Sequence, residues 1–230
     1  MCAFKKVQIE KSELKQMYLT LFRCSIQLWQ PHMSVLEKLA EELASHSKVS
    51  VYRKRTVFPS DKNDDVHFLY HGVIREFWKT DDGGDKTENI QYIIRNHKKS
   101  GVALDWSNRK AKVPMLLVVR SLTGTGRQFQ TLMDSIVIRI SREKWNEIQE
   151  TNGEWRQTLL DMKIFFEGHI MDLELAMQQL RTESLEKKVQ WFWGEYLEQI
   201  EKEKISIQNQ YIASFLDMTQ QSYSRIIKSL

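Results

Sequence analysis

The chain has 230 residues, of which 41% are hydrophobic and 28% charged, and its formal net charge is +4. This length is enough for one large domain or two small ones, and the composition is ordinary for a soluble globular protein. No apolar run approaches membrane-spanning length and the first residues do not form a signal peptide, so we expect a cytoplasmic protein without a membrane partner. The two cysteines, Cys2 and Cys24, are too few for a disulfide framework, a cysteine-ligated zinc site or an iron–sulfur cluster.

The first predicted elements are helices between Leu14 and about Ser45, separated by a turn at Gln30-Pro31-His32. The clearest of them lies in the segment MSVLEKLAEELA, where apolar residues recur at helical spacing. Ser34 is the predicted N-cap of this helix, because Glu37 stands three residues later at the capping-box position.

Between Lys48 and about Ile140 the hydrophobic period shortens to two residues, which is typical of β-strands. The β-branched and aromatic runs are VSVYRKRTVF, HFLYHGVIREFW, TENIQYII, MLLVVRSL and DSIVIRI. Polar clusters such as PSDKNDD separate these runs, and Asp81-Asp82-Gly83-Gly84 predicts a hairpin loop. Several short strands joined by polar turns predict an antiparallel roll or barrel.

A long helix is predicted from about Glu154 to Arg181, after a short helix in REKWNEI and a break at Asn152-Gly153. A helix of this length needs an apolar cover, and a second copy of the chain is the simplest one, so we expect a homodimer. The alternative is a helix that packs on its own sheet. The predicted dimer seam consists of Leu159, Met162, Phe166, Ile170, Leu173, Met177 and Leu180. Thr182 is the predicted cap of the helix that follows.

The last twenty residues, YIASFLDMTQQSYSRIIKSL, predict two short amphipathic helices joined by a tight turn at Asp217-Met218. Thr219 is the predicted cap of the second helix. An advance of about 100° per residue separates its apolar side chains from its polar ones. The apolar face contains Tyr223, Ile226, Ile227 and Leu230, and the polar face contains Gln221, Ser224, Arg225 and Lys228, with Gln220 at its edge.

A helix with this polar face has side chains that the major groove of DNA can accept. Arginine can bind guanine through two hydrogen bonds, glutamine can pair with adenine, and serine and lysine can hold phosphates. The local charge does not favour DNA, because residues 183–230 contain six Lys or Arg against seven Asp or Glu. From these residues alone, a C-terminal helical hairpin with a polar outer face is an equal alternative.

The segment IASFLDMTQQSYSRIIKSL resembles the helix-turn-helix of the Crp/Fnr superfamily of bacterial transcription regulators. The matching residues are Ile212, Ala213, Leu216, Met218, Thr219, Ser224, Arg225, Ile227, Lys228 and Leu230. The order of predicted elements also agrees with that superfamily after about residue 28. The resemblance implies an α+β fold: helices and a sensor β-roll of the cyclic-nucleotide-binding, jelly-roll type in residues 1–153, a dimerisation helix in residues 154–181, and a DNA-binding domain in residues 182–230.

The resemblance also implies a dimeric transcription regulator that binds a near-palindromic site on double-stranded DNA and contacts RNA polymerase. Gln220, Gln221 and Arg225 would meet base edges, and Thr219 and Ser224 would lie near phosphate, while Lys228 can hold a phosphate by its charge alone. Asp217 replaces the glycine that usually occupies this turn in the superfamily. Members of the superfamily often have strands after the recognition helix that contact the DNA backbone, and we expect no such contacts here. The alternative is a ligand-sensing or protein-interaction protein whose degenerate helix-turn-helix does not bind DNA.

The effector of the predicted β-roll is unknown from the sequence. Relatives that bind cyclic nucleotides use a carboxylate for the ribose hydroxyl and an arginine for the phosphate. No Asp or Glu occurs between Asp105 and Asp134, so we do not expect cyclic AMP to bind in the usual manner. The bases of this interval, among them Arg120 and Arg127, form either a solvated loop or a pocket for another small anion, with Arg127 as its anchor.

No motif in the chain predicts an enzyme or a metal site. Gly124 and Gly126 are a lone pair of glycines and not a nucleotide fingerprint. His67 and His71 are four residues apart on a predicted strand, which separates them by about 13 Å, too far to share a metal ion.

Overall fold

The computed structural model describes residues 4–23, 33–58, 65–93, 116–117, 128–151, 153–197 and 206–230 of the chain. The strands in these ranges are β1 (Phe4–Val7), β2 (Ser47–Tyr52), β3 (Val57–Phe58), β4 (Val66–Lys79), β5 (Asp85–Ile93), β6 (Leu116–Leu117), β7 (Gln128–Thr131) and β8 (Ser135–Ile140). The helices are α1 (Lys11–Arg23), α2 (Met33–His46), α3 (Arg142–Thr151), α4 (Gly153–Arg181), α5 (Leu185–Phe192), α6 (Asn209–Phe215) and α7 (Gln220–Ser229). A π-helical turn, Trp193–Leu197, continues α5.

Strand β4 is the centre of an antiparallel β-roll. Its first half pairs with β8 and β6, and its second half pairs with β5 and β7. The register shifts between Leu69 and His71, immediately before Gly72. A Cβ atom on Gly72 would lie 2.1 Å from the Ser135 hydroxyl oxygen, and its φ is +137°, so the point where β4 changes partners requires glycine.

The buried apolar side chains of the described residues form two hydrophobic clusters. The first lies between the β-roll, helices α1 to α3 and the start of α4, and it includes Tyr18, Leu36, Phe68, Trp145 and Leu159. The second joins one end of the roll to α5, α6 and α7. The helix-turn-helix therefore shares a core with the roll and does not form a separate domain core.

The predicted α+β architecture is confirmed, with an antiparallel β-roll, a long helix and a C-terminal helix pair in the expected order. The hairpin between β4 and β5 closes as predicted, since the Thr80 N–H donates to the Gly84 carbonyl at 2.9 Å. Strands β1 and β7 were not expected, because their segments FKKV and QFQT are short and carry polar residues. None of the helices in the described ranges is long and apolar enough to cross a membrane.

Two predicted helix caps are wrong. Helix α2 begins at Met33, so Ser34 lies inside its first turn. Helix α5 is capped by Ser184, whose hydroxyl accepts a hydrogen bond from the Lys187 N–H at 3.4 Å. The Thr182 hydroxyl instead donates to the Gln179 carbonyl at the end of α4. Several residues that can cap a helix lie close together between α4 and α5. The residue at which the preceding helix ends decides which of them becomes the cap.

Candidate nucleic-acid interface

Helices α6 and α7 form a helix-turn-helix over a small apolar core. The buried side chains of this core are Ile212, Ala213, Phe215 and Leu216 from the first helix and Tyr223 and Ile226 from the second. Phe192 and Tyr196, from α5 and the π-helical turn, cover α6 through edge contacts with Phe215, each at 5.7 Å between ring centroids. Leu230, which was predicted on the apolar face, is 60% exposed, so that assignment is wrong at the last residue.

The turn between α6 and α7 depends on Asp217, whose φ of 56° places it in the left-handed region. The Asp217 N–H donates to the Ser214 carbonyl at 3.3 Å, and the Met218 N–H donates to the Ala213 carbonyl at 3.0 Å. These two bonds form a Schellman motif, which satisfies carbonyl groups at the end of α6. Aspartate tolerates the left-handed region better than most residues other than glycine, so the departure from the usual turn glycine is accommodated.

Thr219 caps α7, as predicted from the sequence. Its hydroxyl oxygen accepts a hydrogen bond from the Ser222 N–H at 3.1 Å, and its backbone carbonyl accepts one from the Tyr223 N–H at 3.0 Å. The N–H groups of Gln220 and Gln221 lie in the first turn, where a helix offers them no acceptor of its own. They point out of the positive end of the helix dipole, which suits the binding of an anion such as a phosphate group.

The polar residues predicted to contact DNA lie on one accessible surface of α7. Thr219, Gln220, Gln221, Arg225 and Lys228 are exposed, and Ser224 is partly exposed. Within the described residues, Arg225 and Lys228 have no ion-pair partner. Asp217 is the one acidic residue between positions 206 and 230, so the positive charges of α7 have little local opposition.

Helix α6 covers the open edge of strand β5. Of the strands described, β5 pairs only with β4, which leaves its other edge without a neighbouring strand. The Ser214 hydroxyl accepts a hydrogen bond from the Thr87 N–H at 2.8 Å and lies 3.2 Å from the Asp85 carbonyl, to which it donates. One side chain thus satisfies a donor and an acceptor that a further strand would otherwise pair with.

A buried arginine lies beneath the start of α6. Arg75 on β4 is 1% exposed, and its guanidinium carbon lies over two aromatic rings, 4.1 Å from the Phe77 centroid and 3.8 Å from that of Tyr211. It donates to a carboxylate oxygen of Asp85 at 2.6 Å and to the Gln130 side-chain oxygen at 2.8 Å. The ion pair and hydrogen bonds offset the cost of burying the charge, and the cation is attracted to the faces of both rings.

The carboxylates of Asp217 and Asp85, near the contact between α6 and β5, are held in the ionised form. Hydrogen bonding and charge attraction from Lys86 lower the pKa of Asp217. Partial burial opposes ionisation of Asp85, but hydrogen bonds from Lys79 and Arg75 outweigh it and lower its pKa. We call the contact of Arg75, Lys86 and Thr87 with Tyr211, Ser214 and Asp217 the docking contact.

The predicted dimer seam is partly covered within a single chain. Leu159 is buried against the roll cluster, and Leu180 is 9% exposed. Met177 packs against the second cluster, which contains the helix-turn-helix. The side chains of Met162, Phe166, Ile170 and Leu173 lie outside the described ones, so the middle of the seam stays a prediction.

Helix α4 exposes a different set of apolar side chains. Leu160, Ile164, Met171 and Leu175 are 46%, 58%, 68% and 55% exposed. At about 100° per residue these four positions fall within about 60° of one another, on the side of the helix opposite to Leu159 and Met177. We call them the α4 stripe.

The candidate effector residues Arg120 and Arg127 lie outside the described residues. In the part of the chain that is described, no cluster of His, Cys, Asp and Glu could hold a metal ion. His67 is buried in the roll, and its ring N–H donates to the Asp65 carbonyl at 3.0 Å. Burial, together with the charges of Arg139 and Arg142, lowers the pKa of His67 to about 4.

Sequence reasoning missed the docking contact. One local signal was present: Arg75 lies between Val73 and Phe77 on one face of β4, so a charged residue occupies a position flanked by apolar ones on the same face. A cation at such a position requires a buried partner. The identity of the partners could not be inferred, because Ser214 and Thr87 are 127 residues apart in the chain.

Comparisons with protein-family models and with curated protein sequences find no match. Solved structures match over most of the chain. The c-di-GMP-responsive global regulator CLP of Xanthomonas campestris has a TM-score of 0.55 at 13% identity, with 86% of this chain and 90% of that chain covered. A transcriptional regulator assigned to the Crp/Fnr family from Eubacterium rectale has a TM-score of 0.55 at 15% identity, with 84% and 82% covered. The fold is that of the Crp/Fnr regulators.

A third solved structure extends the same similarity. A cyclic nucleotide-binding domain-containing protein from Listeria monocytogenes has a TM-score of 0.56 at 10% identity, with 96% of this chain and 90% of that chain covered. The Crp/Fnr fold therefore accounts for the order of β-roll, long helix and helix-turn-helix. At 10–15% identity the similarity concerns the fold, and the function has to be argued from the residues of this chain.

Proposed function

We propose that this protein is a homodimeric transcription regulator of Crp/Fnr type that binds DNA sequence-specifically through α7. The exposed polar surface of this helix is the observation that carries the proposal. Tyr223 and Ile226 are buried on one side of α7, while Gln221, Arg225 and Lys228 face solvent on the other. A capped helix held against its partner by an apolar core, with free polar side chains outward, suits insertion into a major groove.

The side chains of α7 divide into groups with different roles on DNA. The Arg225 guanidinium can donate two hydrogen bonds to O6 and N7 of a guanine, and Gln220 and Gln221 can pair with adenine. Thr219, Ser224, Lys228 and the first N–H groups of α7 can hold phosphates, which position the helix without selecting a sequence. We therefore expect Arg225 to contribute most to base selection.

A second copy of the chain is the occupant that we propose for the α4 stripe. The stripe residues are spaced by four, seven and four positions, which is the spacing of a helix seam that packs against an equivalent helix. They extend over 16 helical residues, or about 22 Å of axis, an extent that suits a partner helix better than a small ligand. A dimer of this kind would present two copies of α7 about 34 Å apart, which fits a near-palindromic site.

Two further partners stay proposals that rest on the sequence. A small anion would bind in the roll near Arg120 and Arg127, and the dimer would contact RNA polymerase when bound to DNA. Calorimetric titration of candidate anions into the wild type and an Arg127→Ala variant tests the first proposal. Saturable heat in the wild type alone would support it, and no saturable heat with any anion would contradict it.

The experiment that tests DNA binding is selection of bound sequences from a random duplex library by the purified full chain. We compare the wild type with Arg225→Ala and with Arg53→Ala, a matched control whose arginine is exposed on the roll. The wild type and the control should select the same two-fold symmetric motif. Arg225→Ala should lose the preference at one base in each half-site, at a cost of about 1–3 kcal/mol in binding free energy.

The salt dependence of affinity separates this function from its alternative. A protein that contacts phosphates loses affinity steeply as salt rises. A ligand-sensing or protein-interaction protein with a degenerate helix-turn-helix would bind duplexes weakly at any salt concentration. If a folded, dimeric wild type selects no sequence, either purified or in cell extract, the proposed function is wrong.

A further inference from the structure

The docking contact connects the helix-turn-helix to the β-roll at three points. The Ser214 hydroxyl bridges the Thr87 N–H and the Asp85 carbonyl at the open edge of β5. The Tyr211 ring lies on the buried Arg75 guanidinium, and the Asp217 carboxylate pairs with Lys86. All three contacts come from α6 or the turn after it, so they restrain one short helix at its start, its middle and its end.

Contacts that hold α6 in place on the roll also hold α7, because the two helices are packed together. The two helices share the buried core of Phe215, Leu216 and Tyr223, and the Schellman motif and the Thr219 cap fix the turn between them. Two elements packed in this way move together, because their close-packed core does not deform continuously. The orientation of α7 relative to the roll therefore depends on the contact of α6 with β5, together with the apolar core that Val73, Ile90 and Leu132 of the roll share with the helix pair.

The docked arrangement leaves the polar surface of α7 open. Gln220, Gln221, Arg225 and Lys228 are exposed while Ser214 and Tyr211 are engaged with the roll. The docking contact thus does not block the surface that would meet DNA, and this accessibility favours an orienting role over an inhibitory one.

We propose that Ser214, Asp217 and Lys86 are positioning residues, which hold α7 at the separation and angle that two half-sites require. This inference rests on the proposed function and names the part of the roll that controls it. In a dimer, each recognition helix must reach its own groove, so a fixed docking contact imposes one half-site spacing. If the contact is broken, the helix pair moves more freely, binding costs more ordering entropy, and other spacings become acceptable.

The test compares Ser214→Ala with Ser229→Ala in the full chain. Ser229 is an exposed serine at the end of α7, and its hydroxyl donates only to the nearby Ile226 carbonyl among the described residues. Hydrogen exchange at the Thr87 amide reports the docking contact directly, since this amide donates to Ser214. We expect faster exchange at Thr87 in Ser214→Ala and no change in the control.

The functional measurement is affinity for the selected duplex and for duplexes whose half-sites are one or two base pairs closer or farther apart. Ser214→Ala should bind the selected duplex about fivefold more weakly and should discriminate less between spacings. A loss of folded protein would lower the affinity for all spacings equally, so the reduced discrimination is specific to positioning.

A second pair of variants, Lys86→Gln and Asp217→Asn, keeps the inference testable if Ser214→Ala folds poorly. Asparagine tolerates the left-handed backbone of Asp217 as aspartate does, and Lys86 lies in the roll, outside the helix pair. If both residues act through their mutual contact, the double variant should lose no more affinity than the larger single loss. Additive losses would mean that the two residues act independently of their mutual contact and would overturn the positioning role of this pair.

Failure of this inference differs from failure of the proposed function. Suppose that the wild type binds its selected duplex and that the variants keep its spacing preference although exchange at Thr87 is faster. This result overturns only the positioning role. A wild type that selects no duplex removes the proposed function and the positioning role together.

Discussion

The guanidinium carbon of Arg75 lies 3.8 Å from the centroid of the Tyr211 ring, although Arg75 belongs to the β-roll and Tyr211 to the helix-turn-helix. The Phe77 centroid lies 4.1 Å from the same carbon, and Asp85, Gln130 and Thr87 accept hydrogen bonds from the guanidinium. A planar cation is well suited to this place, because it can stack on two rings and donate in its own plane at the same time.

Arg75→Lys should therefore lower the free energy of unfolding by about 2–4 kcal/mol, since lysine cannot reach both acceptors and has no flat surface for the rings. Chemical denaturation monitored by tryptophan fluorescence measures the change. Arg53→Lys, at an exposed position, is the control and should stay within about 0.5 kcal/mol of the wild type. An Arg75→Lys variant as stable as that control would show that the stacking and hydrogen bonds contribute little.

Thr219→Ala should lower stability by about 1 kcal/mol, because the Ser222 N–H loses its acceptor at the start of α7. Thr219→Ser keeps the capping hydroxyl and should behave like the wild type. Thermal unfolding of the three proteins measures the difference. Equal losses in both variants would assign the effect to the threonine methyl group and not to the cap.

Ile164→Glu combined with Met171→Glu should convert the proposed dimer to a monomer, because two carboxylates would be buried in an apolar seam. Both side chains are more than half exposed in the single chain, so the fold itself should tolerate the changes. Sedimentation equilibrium measures the mass.

The matched control for this prediction is Gln179→Glu, an exposed position on the same helix that lies about 40° beyond the α4 stripe at 100° per residue. It should leave the mass of the wild type unchanged. A dimer that survives both glutamates would show that the chains associate through another surface.

The burial of His67 predicts a loss of stability on acidification. Its pKa is about 4 in the folded chain against the ordinary value of 6.5, so the unfolded chain takes up the proton first as the pH falls. The stabilising contribution is present above pH 6.5 and decreases towards pH 4, by up to about 3 kcal/mol. Arg139 and Arg142 oppose protonation, whereas the Asp65 carbonyl that accepts the ring N–H favours it.

Unfolding free energies measured between pH 7 and pH 4 test this prediction. His67→Gln should show a shallower decrease than the wild type, because the carboxylates titrate alike in both proteins. His46→Gln, at an exposed position at the end of α2, is the control for the loss of a histidine that is not buried. Parallel curves for the wild type and His67→Gln would contradict the prediction.

The sequence predicted those features that depend on residues close together in the chain. The Thr219 cap, the tight turn at Asp217 and the hairpin after β4 each involve fewer than ten residues, and their side chains satisfy their own backbone. The β-roll was predictable because alternation along a strand reports one buried face. The same reasoning fails where several choices are locally equivalent, as with Thr182 and Ser184 before α5.

Only the tertiary structure decided how the helix-turn-helix meets the roll and which surface of α4 stays open. The hydrogen bonds and ion pair of Ser214 and Asp217 to the β5 edge span 127 to 131 residues, and no local pattern encodes a partner at that distance. Helix α4 has apolar residues on opposite sides, so periodicity alone could not tell which side is covered. Leu159 is covered by the chain's own core and Ile164 is left to solvent, because the roll and the helix pair pack on one side of α4.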